Sequence, residues 1–66
     1  MIATITTTTG TVVAAFDTMG EASEWIVDTV RAQYGPARDG VSITGEGLSG
    51  DLVDATYGVI GTWSLA

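Results

Sequence analysis

Four carboxylates stand at spacings of four, three and four residues: Asp17, Glu21, Glu24 and Asp28. On a helix advancing about 100° per residue, Glu21, Glu24 and Asp28 fall on one side, and Asp17 continues the line one turn earlier. Such a row can accept charge-assisted hydrogen bonds from arginine or lysine on a partner. Trp25 and Val27 flank it, and Arg31 lies near Asp28 from the C-terminal side. Like charges at this spacing repel by some tenths of a kcal/mol per pair. The helix dipole offsets part of that near the first turn. The row therefore reads in two ways, as a solvated acidic face or as a binding surface.

Other residue patterns point to chemistry and fail on context. Gly45-Glu46-Gly47-Leu48-Ser49-Gly50 matches the dinucleotide-binding spelling GxGxxG. That fingerprint requires a following helix whose N-terminus meets a pyrophosphate. Strand-like residues follow Gly50 instead, and Glu46 and Asp51 would repel phosphate, so a flexible glycine turn is expected. Asp39, Glu46, Asp51 and Asp54 crowd one half of the chain. A calcium loop needs oxygen ligands at alternate positions, but Val41 and Ile43 occupy those after Asp39.

The chain has no cysteine, histidine or lysine. Its serines and threonines thus lack the usual bases, and a structural zinc site lacks its usual ligands. A carboxylate-pair hydrolase would need a cleft, commonly about 300 Å³ or more, which so small a domain can hardly enclose. A binding protein without enzymatic activity, cofactor or metal is expected.

Eight carboxylates face two arginines, giving a formal charge of −6 and a pI near 4.1. Direct nucleic-acid binding is disfavoured, because phosphate affinity comes mainly from lysine and arginine. An anionic membrane would repel the chain, whereas a basic protein surface would attract it. A hydrophobic fraction of 45% separates it from disordered sequences. The N-terminus lacks a charged leader pattern and no apolar run is long enough to span a bilayer, so a soluble cytoplasmic protein of a host cell is expected.

The elements that must position these residues can be read from the same chain. Residues 17–34 form the single helix. Thr18 and Glu21 make a capping box at its start, and Gly35 with Pro36 ends it. Met19, Ala22, Ile26 and Val30 form its apolar side. Residues 2–8 and 11–16 read as a β-hairpin around Thr9-Gly10, with Val12, Ala14 and Phe16 on one face. One face of that second strand is expected to meet the helix, leaving the other for a partner. Ala37-Arg38-Asp39-Gly40 is a loop, and residues 41–44, 52–57 and 59–65 are further strands. Trp63 belongs to the core, and Trp25 either covers the sheet edge or serves as an aromatic anchor. The result is a single domain over residues 1–66, of α+β class, with one helix packed on an antiparallel sheet in the order ββαβββ.

The acidic helix face, small size, strong negative charge, absence of a catalytic set and single-helix-on-sheet plan resemble the small acidic proteins that phages use against host defences. The resemblance is to the anti-CRISPR proteins in particular. The resemblance lies in size, charge and plan and carries over no family residue. It implies a partner among CRISPR effector subunits, obstruction of their access to DNA, and, in some members, imitation of DNA charge. Duplex DNA carries about one charge per 1.7 Å, and the helical row about one per 4.5–6 Å. Glu46, Asp51 and Asp54, with Asp39, would add a second patch if the loops lay on the same side. Two other readings remain open: a homo-oligomeric structural or assembly protein, such as a homodimer, suggested by the apolar outer face of the strand over residues 11–16 and by the weakly charged edges, and an antitoxin-like subunit masking a basic site.

Overall fold

A computed structural model describes residues 1–35 and 40–66. The expectations for Pro36, for the loop Ala37-Arg38-Asp39 and for Asp39 as part of an acidic patch lie outside the described residues.

One helix packs against a five-stranded antiparallel sheet, an α+β fold in the expected ββαβββ order. The elements are β1 (Ile2–Thr7), β2 (Gly10–Ala15), α1 (Met19–Tyr34), β3 (Ser42–Ile43), β4 (Ser49–Val53) and β5 (Val59–Leu65). The strand order is β2-β1-β5-β4-β3. The first and last strands are therefore central neighbours, and α1 carries the chain from one edge of the sheet to the other.

The helix starts where its cap dictates. Thr18 is extended (φ −128°, ψ 156°), and its Oγ1 accepts from the Glu21 N–H at 3.2 Å. At the other end Gly35 takes φ 80° and donates its N–H to the Arg31 carbonyl at 2.8 Å. A left-handed φ of this kind favours glycine.

Ala22, Ile26 and Val30 are the buried residues of α1, and they pack over β1 and β5. Opposite them lie Ala3 and Ile5 of β1, Leu65 of β5 and Leu52 of β4, joined by Val41 ahead of β3. Met19, expected on this apolar side, is 48% exposed. It is the first helical residue and precedes the turn that reaches the sheet.

Alternation along each strand sends the neighbouring residues to the far face. There Thr11, Thr6, Thr62 and Asp51 stand in register across β2, β1, β5 and β4. They form a polar row across the face of the sheet away from the helix, which also exposes Ile2 and Val13.

Three strand expectations are corrected. The second strand is not buried by the helix on one face: it is the sheet edge, and Val12 and Val13, on opposite faces, are 47% and 56% exposed. A single helix about 10 Å wide covers the central strands and leaves the edge bare. The strand expected over 52–57 is β4, which begins at Ser49 and ends at Val53. Positive φ at Gly45 (114°) and Gly47 (67°) reverses the chain early, so the segment expected to be a glycine turn forms a hairpin that includes the start of β4. Glu46 bridges Ser49, and Thr44 and Asp51 exchange backbone hydrogen bonds of 2.9 and 3.1 Å. The third strand, expected over 41–44, is shortened to Ser42–Ile43.

The third glycine of that segment has a packing role. A Cβ at Gly50 would collide with the Thr44 carbonyl oxygen and with Nε1 of Trp63. The indole lies across this bare position, packs against the core and donates Nε1–H to the Thr44 oxygen at 2.8 Å.

Two substitutions separate these effects. Thr18→Ala should cost about 1 kcal/mol through loss of the cap. Gly50→Ala should displace Trp63 and cost about 1–3 kcal/mol or more. Urea denaturation followed by tryptophan fluorescence measures both. A Gly50→Ala protein as stable as wild type would contradict the packing role.

Candidate functional site

The helical carboxylates stand where the spacing places them. Glu21, Glu24 and Asp28 are exposed. They lie roughly 140–160° around the helix from Ile26, the centre of the buried line. Asp17, exposed and just ahead of the Thr18 cap, extends the row beyond the helix start. Glu21 is in the first turn and Arg31 in the last, the arrangement that suits the helix dipole at both ends.

Trp25 is half-buried beside this row. Its ring meets Phe16 at a centroid separation of 5.7 Å and an interplanar angle of 47°, and both rings pack against the core. Of the two roles expected for Trp25, the observed packing is that of a cover over the core margin. Its contact with Phe16 also ties α1 to the segment leading out of β2.

The remaining acidic candidates do not join the row. Asp51 lies between Gly50 and Leu52, whose partners Trp63 and Gly61 are on the helix side of the sheet. Asp51 therefore points to the opposite face, in register with Thr62. Glu46 is exposed at the β3–β4 turn. Asp54 is at the β4–β5 turn, at the other end of β4. The second patch envisaged beside the helical row is thus divided over another face and two opposite ends. Among the described residues no three acidic side chains converge in a way that could hold a metal ion.

Asp54 has structural work of its own. Its Oδ1 accepts from the Thr56 N–H at 2.9 Å, the Thr56 hydroxyl at 2.8 Å and the Gly58 N–H at 2.9 Å. These donors favour the ionised form, the Thr56 hydroxyl most, and hold the carboxyl below its ordinary value of 3.8. The same turn puts Tyr57 at φ 65° with 90% of its surface exposed, and Val59, two residues later, is 61% exposed. Reading 52–57 as one strand hid the exposure of Tyr57. The available signal was Asp54 followed four residues later by Gly58, a turn spelling that a β-rich reading overrides.

Hollows along the helix flanks are small. One of about 160 Å³ is lined by Ser23, Ile26, Val27, Ile43 and Trp63, and one of about 270 Å³ by Val27, Val30, Arg31, Val41, Ser42 and Ile43. Both fall below the ~300 Å³ at which ligand pockets usually begin. The acidic helix face is the most coherent surface on which function can be argued.

The Asp54 turn gives a signed pH dependence. Because its folded-state affinity for protons is weakened, its contribution is full above pH 3.8 and is lost as pH falls through the lower folded value. Asp54→Ala should lower the melting temperature at pH 6, and the gap from wild type should narrow below pH 3.8. Asp54→Asn, which keeps an acceptor oxygen, should lie between them. Melting curves from pH 2 to 7 check this, and a gap independent of pH would contradict it.

No protein-family model, curated protein or solved structure matches this chain.

Proposed function

We propose that this protein acts by binding, through the acidic outer face of α1, to a basic surface that another protein uses to hold nucleic acid. The observation that carries this reading is the placement of Glu21, Glu24 and Asp28 on the exposed side of a helix whose opposite side is fixed to the sheet. A helix immobilised in this way presents its charges with little further loss of backbone freedom on binding. Carboxylates in a row suit the arginines and lysines that otherwise contact phosphates. The overall charge of −6 would speed encounter with such a surface.

CRISPR effector complexes are the first target class to examine, on the resemblance in size, charge and plan to anti-CRISPR proteins. The effect would be competition with DNA. The division of the carboxylates bears on how far charge imitation extends: one face carries the helical row, and Asp51 lies behind it on the sheet. The contact is accordingly one helix wide, and partial mimicry of a single stretch of phosphates fits it better than imitation of a whole duplex.

Direct binding assays against purified effectors, followed by DNA competition, test this reading. Reversal of Glu21, Glu24 and Asp28 to lysine should weaken competition at least ~100-fold, since charged hydrogen bonds contribute about 1.5–3 kcal/mol each. Far-ultraviolet circular dichroism should be unchanged. Reversal of Glu46 and Asp51, away from the helical face, should change competition less than tenfold. Equal loss from both sets would reduce the effect to net charge. Undiminished competition by the triple variant would overturn the role of the row.

A further inference from the structure

The exposed edge of β2 has a backbone pattern that fits one occupant. At its end the Phe16 N–H donates to the Met1 carbonyl at 2.8 Å, and the Met1 amino group donates to the Phe16 carbonyl at 2.8 Å. Phe16 therefore turns its backbone groups toward β1. In an antiparallel ladder hydrogen-bonded and non-hydrogen-bonded pairs alternate, so Ala14, Val12 and Gly10 face β1 as well. The N–H and C=O groups of Thr11, Val13 and Ala15 consequently point outward from the sheet.

Among the described residues no strand pairs with that side of β2. The opposite edge is blunted by the two-residue length of β3. β2 is six residues long and holds neither a charge nor a proline from Gly10 to Ala15. Short length, charge and proline are devices by which natural edges are normally protected, and this edge has none of them.

We propose that β2 pairs antiparallel with β2 of a second copy of this chain, in one register, about a two-fold axis at Val13. Three constraints select it. A two-fold axis perpendicular to the sheet keeps each residue opposite one from the same face. Only Thr11, Val13 and Ala15 have outward backbone groups to exchange. Placing Val13 opposite Val13 of the second copy, and Thr11 opposite its Ala15, uses all three and closes six backbone hydrogen bonds. Centring on Val12 or Ala14 instead leaves one outward residue of each chain unpaired and closes four.

The same register puts the exposed Val12 opposite the half-buried Ala14 of the second copy on the helix side, so apolar groups meet without burying a charge. The repulsion between two like-charged copies is weakest at this edge. The carboxylates of this −6 chain lie off this edge, and Asp17 is the first after it. The product is a ten-stranded sheet about 43 Å across at 4.8 Å per strand, with both helices and both acidic rows on one side. One strand pair is a small interface, so dissociation should be reversible at about 10–200 μM.

This inference rests on β2 backbone geometry and is independent of the acidic helix. Its test is sedimentation equilibrium of the whole chain between 5 and about 500 μM. Wild type should shift from monomer to dimer, more strongly as salt screens the repulsion between like-charged copies. Val13→Pro removes an outward N–H that β1 does not use, and should raise the dissociation constant at least tenfold with the circular dichroism unchanged. Should proline unsettle the strand, Val13→Lys places two cations opposite one another and should do the same.

The chain contains no cysteine, so single-cysteine variants read the register. Val13→Cys should link rapidly with a short bis-maleimide, and Val12→Cys more slowly. A monomer throughout the concentration range, or faster linking at Val12→Cys, would overturn the proposal.

Discussion

The contact of Ala22, Ile26 and Val30 with the two central strands is the constraint from which the rest of the molecule follows. A chain of 66 residues has material for one helix over one sheet. That helix buries the middle of a single face. At this size one core rarely supplies more than about 3–5 kcal/mol, so this contact cannot be spared. It also fixes what remains outside: the far side of α1, the far side of the sheet and the β2 edge.

Pairing of the first strand with the last reinforces that contact. β1 and β5, the first and last strands, pair from Ala3 and Leu65 to Thr7 and Gly61. Beyond this ladder Ile2 and Ala66 exchange backbone hydrogen bonds of 2.6 and 2.8 Å. The helix thus sits over a seam between the two ends of the chain, and unfolding of either end would remove half of its platform. On the β4 side Trp63 performs a related function, joining β5 to the β3–β4 hairpin through the Thr44 carbonyl over the bare Gly50. The segment spelled like a nucleotide-binding loop is built around that indole.

The helix was legible because its signals are local: Thr18 to cap it, Ala22, Ile26 and Val30 at helical spacing, and Gly35 to end it. The acidic row followed from the same periodicity. The fifth strand was legible from its own alternation. What periodicity could not supply was which strands lie at the centre. β2 is as apolar as β1, yet its neighbours leave it at the rim, so Val12 and Val13 are exposed where burial of one face was expected. The β4 boundaries were missed for a different reason: the chain reverses on positive φ at Gly45 and Gly47, and Asp54 ends the strand by capping its own turn. Both depend on backbone conformations that glycine-rich and aspartate-led segments permit without requiring.

Within the candidate site, the sequence placed the helical row, but the distribution of Glu46, Asp51 and Asp54 needed the strand register. A shift of one residue would have turned Asp51 toward the helix side. That division makes the central claim, that the working surface is the outer face of α1, open to a residue-resolved measurement. An amide correlation spectrum of the isotopically labelled protein, titrated with a basic DNA-binding partner, reports every position at once. The account predicts shifts concentrated at Glu21, Glu24, Asp28 and Arg31 that are suppressed by about 0.5 M salt. Shifts concentrated at Asp51, Thr62 and Thr6 on the opposite face, or spread evenly over the molecule, would contradict it.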